Sequence, residues 1–291
     1  MLNSPALRVA FWMAVSAVFF GLLMGLVRHL GQDIHVFAIS FWRFLFGALM
    51  FAPWFMRVGL QGLKTSRPGM HIIRACFLIV SSVSILMAVM IMPLDEVTAL
   101  SFTTPLFAMI GAILFLKEKA GPRRWIALLI GFLGMLIILR PGVEIFNWAA
   151  MLIMISAVTF AGVVLCGKVL VRSDSPELLV ASLSVIAVPL SFLPALFYWH
   201  WPTPEQYIWI VLIAICSNAN MYGIAKALQN GDASATQPYD FLRLPTTAAV
   251  GWLAFGEISD FYSWFGAAVI LTSTVFITRR EAMAKKRELA E

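Results

Sequence analysis

An all-α membrane protein, with ten transmembrane helices arranged as two inverted five-helix repeats, is the fold class that the sequence predicts. Three observations predict it: the composition, the sidedness of the basic residues, and one long-range repeat. The 291 residues are 61% hydrophobic and only 12% charged, about half the charged share of a soluble domain. A water-soluble fold of this length cannot hide so much apolar surface. A spanning helix takes roughly 20 apolar residues, so ten take about 200 and leave only short connections. No polar stretch is long enough to form a second, water-facing domain.

Apolar runs bounded by charge or by Pro/Gly clusters fall at 9–27, 36–56, 71–92, 97–116, 125–139, 148–171, 178–198, 207–228, 233–255 and 261–278. The first follows Arg8 and lacks a small-residue cleavage site, so it reads as a retained span and not as a signal peptide. The second carries Arg43 about seven residues in from its outer end, within snorkelling reach of the interface. The third carries Arg74 near its inner end, again a snorkelling position, and the stripe Ser81, Ser84 and Ala88, suited to a helix contact. The fourth carries Thr98, Ser101, Thr103, Thr104 and Pro105, of which Thr98, Ser101 and Pro105 share one helical face. The fifth is short, and the basic loop before it supplies its first turn. Lys168 closes the sixth as a snorkelling residue, and the eighth holds Asn218 and Tyr222 at i,i+4 spacing. The ninth contains Pro238, Asp240, Arg243 and Pro245, and the tenth leads into a basic tail at 281–291.

Short cytoplasmic loops carry the excess of Lys and Arg. With the N-terminus inside, the inner segments hold fifteen of the 21 basic residues: Arg8, Arg57, Lys64, Arg67, Lys117, Lys119, Arg123, Arg124, Arg172, Lys226, Arg279, Arg280, Lys285, Lys286 and Arg287. The outer loops hold only Arg28 and Arg140. One missed helix would swap every later loop, so this bias supports both the count and cytoplasmic termini. The formal charge of +6 is thus a topology signal. It forms no basic helix face of the kind that docks on nucleic acid, and no nucleic-acid partner is expected.

Glu118, Trp125 and Arg140 recur as Glu257, Trp264 and Arg279, all at one offset of 139 residues. The offset is close to half the chain and divides it into a first repeat at 1–142 and a second at 143–280. Because five helices is an odd number, the second half enters the membrane from the opposite face, which makes the repeats inverted.

Asp240 and Arg243 interrupt an apolar run roughly 10 to 15 Å from its inner end. Ionised groups at that depth cost several kcal/mol unless paired or hydrated, so they face a bundle interior or a wet cavity. Two readings follow. In one, the i,i+3 pair neutralises itself and orders helix packing. In the other, the pair lines a central cavity, where Asp240 attracts a cationic group or carries a proton and Arg243 meets a carboxylate or phosphate. Pro238 bends the helix and frees the carbonyl of Ser234, beside Tyr239. Candidate substrate-binding or coupling residues are therefore Asp240, Arg243 and Tyr239, with Asn218, Tyr222, Ser101 and Thr98 across from them. Most of the ten Trp fall at span ends as an interfacial belt, and the rings proposed for the cavity are Trp12, Phe19, Phe102, Tyr222 and Tyr239.

No HExxH, GxSxG or P-loop is present, and the four histidines lie in loops or at a span edge, so an enzyme is not expected. Cys76, Cys166 and Cys216 lack metal-ligand or disulfide spacing and read as buried small hydrophobes. No metal and no cofactor is expected. A channel would need a charge ring or filter loop, and neither is visible. The expected partners are a small-molecule metabolite and the lipid bilayer, and a homodimer is compatible with the sequence.

Pro105-Leu106-Phe107, Phe115-Leu116-Lys117-Glu118, Gly131-Phe132-Leu133-Gly134 and Arg140-Pro141-Gly142 resemble the end of an EamA repeat. In the second half, Ala233 to Tyr239, Phe255-Gly256-Glu257 and Gly266-Ala267-Ala268 play the similar part. The chain thus resembles the EamA-type ten-span carriers of the drug/metabolite transporter superfamily over nearly its whole length. Pro245 lies 12 residues before Glu257 and Pro105 lies 13 before Glu118, so either Pro238 or Pro245 is the counterpart of Pro105. The segment Leu63 to Pro68, with His71, Arg74 and the stretch Pro238 to Leu242, looks most like the S-adenosylmethionine carrier branch. Riboflavin carriers and amino-acid or amine carriers are further likenesses. The resemblance implies a secondary transporter of a small organic metabolite in the bacterial inner membrane, with Glu118 and Glu257 as structural marks of the repeat.

Overall fold

The computed structural model describes residues 5–31, 33–59, 65–89, 100–139, 148–256, 265–266, 268–273 and 275–276. Its helices are α1 (Pro5–Leu30), α2 (Val36–Met50), α3 (Ala52–Val58), α4 (Pro68–Val89), α5 (Thr104–Leu116), α6 (Pro122–Leu139), α7 (Trp148–Leu170), α8 (Pro176–Leu196), α9 (Pro204–Asn230), α10 (Ala233–Asp240) and α11 (Arg243–Phe255). The described residues from 265 to 276 are helical as well, and no strand occurs among the described residues. Six stretches among them are long and apolar enough to cross a membrane: Pro5–Leu30, Phe37–Val58, Pro68–Ile85, Ala150–Leu170, Pro176–Leu196 and Pro204–Asn230. Thr98, Arg140, Glu257, Trp264, Arg279 and the tail at 281–291 lie outside the described residues.

Proline opens several helices, where its missing N–H costs nothing. Ser175 caps α8 by accepting from the Leu178 amide at 3.2 Å, and Thr203 with Gln206 forms a capping box on α9. Three of the expected single runs are broken. The second divides at Phe51, just before Pro53. The fourth turns at Phe102 and Thr103 before α5, which has Pro105 in its first turn. The ninth turns at Phe241 and Leu242, between α10 and α11. Pro238 sits inside α10, so the break falls ahead of Pro245.

The two inner breaks are repeats of each other. Phe102 and Thr103 map onto Phe241 and Leu242 by the 139-residue offset. The helices that follow, Thr104–Leu116 and Arg243–Phe255, are both 13 residues long at the same offset. Each ends on a residue in the left-handed conformation, Lys117 at φ 56° and Gly256 at φ 65°. These matches make Pro245 the counterpart of Pro105, one residue out of step.

Contacts between the halves are reciprocal. Phe102 and Phe241, equivalent by the offset, stack on each other with centroids 5.7 Å apart and planes within 15°. Ser273 Oγ donates to the Ala127 carbonyl at 3.1 Å. The offset turns that pair into Gly134 and Gly266, which also meet: a Cβ on Gly134 would lie 3.2 Å from the Gly266 carbonyl oxygen.

Around this centre α1 packs along α9 and α11, α4 along α7 and α8, and α2 along α8 and α9. Asn220 in α9 donates to both the carbonyl and the hydroxyl of Ser16 in α1, at 2.8 and 2.9 Å. Ser81 and Ser156 join α4 to α7 through their hydroxyls at 3.0 Å, so the small-residue stripe is a helix contact. Arg74 does not snorkel. It is 1% exposed and donates to the carbonyls of Val163 and Leu179, because acceptors offered by α7 and α8 are nearer than water. Cys76 is exposed, whereas Cys166 and Cys216 are buried; the expectation of three buried cysteines fails at the first.

A buried polar chain ties α4 to the connection between α7 and α8. Asp174 Oδ2 accepts from Thr65 at 2.6 Å and from His71 Nε2 at 2.7 Å, and the Ser182 hydroxyl lies 2.7 Å from His71 Nδ1. Burial acts to raise the Asp174 carboxyl, but the hydrogen bonds from Thr65 and His71 outweigh it and hold the group below its ordinary value.

Two stability predictions follow from these contacts. A Cβ on Gly223 would lie 2.8 Å from the Trp12 carbonyl and 3.1 Å from the Ser16 amide, so Gly223→Ala must push α1 off α9. Its thermal unfolding in detergent should shift down by about 1–3 kcal/mol, while Gly69→Ala, whose Cβ meets no described residue within 4 Å, should not. The folded carboxyl of Asp174 is depressed, so its stabilisation is present above the unfolded value near 3.9 and is lost as pH falls through the folded one. Wild-type melting temperature should therefore drop below about pH 4, and Asp174→Asn should melt lower at neutral pH and lose that part of the acid dependence.

Candidate functional site

The break at Phe241 and Leu242 decides what faces the bundle interior. Asp240 ends α10 and Arg243 opens α11, so the turn between them carries both charges at roughly 10 Å from the start of α10. Arg243 Nη2 donates to Asp240 Oδ1 at 3.0 Å, and the two side chains are only 10% and 13% exposed. The guanidinium lies 4.6 Å from the ring centre of Phe20 and 5.8 Å from that of Phe160, close enough for cation–π attraction. Its Nε is buried and has no hydrogen-bond partner among the described residues.

Asp240 and Arg243 line a small cavity of about 10 Å³ together with Met13, Thr104, Phe160, Val164, Ile224, Thr236 and Gln237. That volume holds roughly one water, less than a small organic metabolite needs. Both halves contribute to it, and Thr104 is the repeat counterpart of Arg243 at the 139-residue offset. The Gln237 amide donates to the Ala233 carbonyl at 2.8 Å and the Thr236 hydroxyl at 2.9 Å, which leaves its oxygen as an acceptor. The site therefore presents a carboxylate, a guanidinium with an unused N–H, and an amide oxygen. A ligand carrying both signs of charge, or a polar edge with donors and acceptors, matches that set.

The other sequence candidates are placed differently. Tyr239 is fully buried and packs with Val9, Met13, Ala127 and Leu242. Tyr222 donates to Glu177 at 2.7 Å and meets Trp12 edge-on. Asn218 accepts from Ser184 and donates to the Gly47 carbonyl, clasping α8, α9 and α2. The backbone carbonyl of Ser101 accepts from the Thr104 hydroxyl at 2.7 Å, and Thr98 lies outside the described residues. The rings at the cavity are Phe160 and, through Arg243, Phe20; Phe102 stacks at the junction of the halves, and Phe19 packs into the cluster around Phe41 and Trp42. Thr104, one of the fourth-span hydroxyls noted in the sequence, and Gln237 line the cavity although the site residues chosen from sequence left them out. The repeat offset was the available signal, since it pairs Thr104 with Arg243 and Thr98 with Gln237.

At one end of the bundle a polar network joins the two halves. Glu118 accepts from the amides of Ala233 and Ser234 at 2.9 and 2.8 Å and from the Ser234 hydroxyl at 2.7 Å. Arg124 donates to the Ser234 hydroxyl at 2.7 Å and pairs with Asp232 at 3.1 Å. Lys168 donates to the carbonyls of Leu228 and Gly231 at the end of α9, so it too binds carbonyls where snorkelling was expected. At the other end Trp42, Trp199, Trp201 and Tyr207 form an aromatic cluster, with the Trp42 indole donating to the His200 carbonyl at 3.3 Å.

The sequence profile of the EamA-like transporter family matches residues 7–140 and again residues 147–279, and the chain belongs to that family. It is a multi-pass membrane transporter. A riboflavin transporter of Vibrio cholerae is 33% identical over 97% of this chain and 96% of its own length. An S-adenosylmethionine uptake transporter of Rickettsia bellii is 31% identical over 89% of this chain and 90% of its own. Overall identity does not choose between these two. A protein crystal structure 15% identical to the chain superposes with a TM-score of 0.79 over 94% of this chain and 98% of that one, a likeness of fold.

Proposed function

We propose that the protein is a secondary carrier of the bacterial inner membrane, built of ten spans in two inverted repeats at 1–142 and 143–280, with cytoplasmic termini. The reciprocal contacts between Ala127 and Ser273 and between Gly134 and Gly266 support a two-fold relation of the halves. The sidedness of the basic residues supports the orientation. Transport proceeds by alternating access around the cavity between the halves.

The observation that carries the reading is the Asp240–Arg243 pair at the cavity, facing Thr104 of the other half. Its substrate is S-adenosylmethionine or a close analogue. That molecule brings a carboxylate for Arg243 and an ammonium and a sulfonium for Asp240, so each protein charge exchanges its internal partner for a ligand group when the closed site opens. The second reading, riboflavin, is favoured by the Vibrio cholerae relative and by the rings of Phe20 and Phe160 beside Arg243.

Uptake of labelled S-adenosylmethionine, riboflavin and aromatic amino acids into reconstituted vesicles, with and without a pH gradient, separates these readings. Asp240→Asn should lower flux at least about 100-fold while the protein remains in the membrane. Because removing one member of a buried pair costs about 3–5 kcal/mol, the double variant Asp240→Asn with Arg243→Gln serves as the folding control and should be equally inactive. Unchanged flux in the folded double variant would remove the pair from the site.

A further inference from the structure

We infer that Glu118, Arg124, Asp232 and Ser234 form a one-sided latch, which closes the carrier at the end bearing Arg124 and sets its resting orientation. The inference rests on the two-half carrier reading above, and it concerns residues outside the cavity. Glu118 follows α5 and Arg124 lies in the first turn of α6, whereas Asp232 and Ser234 open α10. Every bond of the latch therefore crosses from one half to the other.

Three features make this a device for motion as well as packing. The Glu118 carboxylate takes both of the first two amides of α10, which have no partner within their own helix, and it lies at the positive end of that helix. Asp232, in the capping position, makes no cap bond and pairs with Arg124 instead. Releasing the latch thus frees the N-terminus of α10 as a unit. Thr236, Gln237 and Asp240 follow within the same eight-residue helix, so a swing of α10 opens the cavity toward that end. Lys168, holding the carbonyls of Leu228 and Gly231, fixes the end of α9 as the pivot.

The sequence repeat does not carry the Arg124–Asp232 pair over to the second half. By the 139-residue offset the positions matching Arg124 and Asp232 are Ser263 and Pro93, and the position matching Lys168 is His29. Neither Ser263 nor Pro93 carries a charge, so these two positions do not repeat the ion pair, although Glu118 recurs as Glu257. An interaction made in one of two states shifts their populations toward that state by its own free energy.

The test reads access without requiring transport. In full-length protein with Cys76, Cys166 and Cys216 replaced by alanine, Thr104→Cys places a reporter in the cavity, and Val164→Cys gives a second. A membrane-impermeant maleimide is applied separately to each face of oriented vesicles. With the latch intact, labelling should be slow from the face bearing Arg124. Arg124→Asp should speed it from that face about tenfold, Asp232→Asn should act in the same direction, and adding Asp232→Arg to Arg124→Asp should return it to within about twofold of the intact latch. Equal labelling in all variants, an increase from the opposite face, or failure of the charge swap to restore protection would overturn the latch. Loss of flux in Asp240→Asn with unchanged labelling leaves the latch standing, and the reverse pattern leaves the cavity assignment standing.

Discussion

The structure depends on how backbone carbonyls are satisfied where two helices break inside the bundle. At bilayer depth no bulk water is available, and each unmatched carbonyl or amide costs several kcal/mol. Pro105 removes the donor that Ser101 would have had, and the hydroxyl of Thr104 supplies another at 2.7 Å. The Thr103 hydroxyl donates to the Leu100 carbonyl at 2.6 Å, beside the Thr103 amide at 3.1 Å. On the other side the Leu244 amide turns back to Phe241 at 3.1 Å, and the Thr246 hydroxyl reaches the carbonyls of Leu242 and Arg243 as well as Ala17 of α1. With the backbone matched in this way, the chain can turn in the middle of the bundle, and the turn is what sets Asp240 and Arg243 side by side.

The charged pair and the latch solve related problems at different depths. A cavity of this size has no room for a metabolite, so Asp240 and Arg243 serve as counter-ions for each other, and the two phenylalanine faces cover the guanidinium. At the end of the bundle, partial charges of helix termini do the work. Glu118 meets amides at the start of α10, and Lys168 meets carbonyls at the end of α9, the two polarities that a helix offers. A carrier needs contacts of both kinds: ones that a substrate can replace, and ones that hold the bundle while the site is empty.

Much of this was legible in the sequence because membrane helices leave strong marks. The apolar runs gave the helices, Asp240 and Arg243 stood out against them, and the pairing of the two followed from i,i+3 spacing. The helix breaks were harder to see, since Pro238 and Pro245 look alike in a single strand of text and only the tertiary match of Phe102 with Phe241 separates them. Arg74 and Lys168 were misjudged for one reason: sequence shows the distance to the interface but not the carbonyls of a neighbouring helix. Asn218 and Tyr222 stood out by polarity, but polarity alone does not show that their partners would be Ser184, Gly47 and Glu177. Thr104 was set apart from the other hydroxyls of the fourth span only by the repeat, because a threonine in an apolar run has no distinguishing mark of its own.

The stacked pair of Phe102 and Phe241 has a further meaning. If the two halves were separate, identical chains, this contact would be isologous: one residue meeting its own copy across a two-fold axis. Within a single chain the copies are free to diverge, and most have done so around the cavity, where Thr104 faces Arg243 and Ser101 corresponds to Asp240. The stacked ring is a phenylalanine in both halves. The junction of the halves thus works as a symmetric interface inside one polypeptide, with an asymmetric site built beside it.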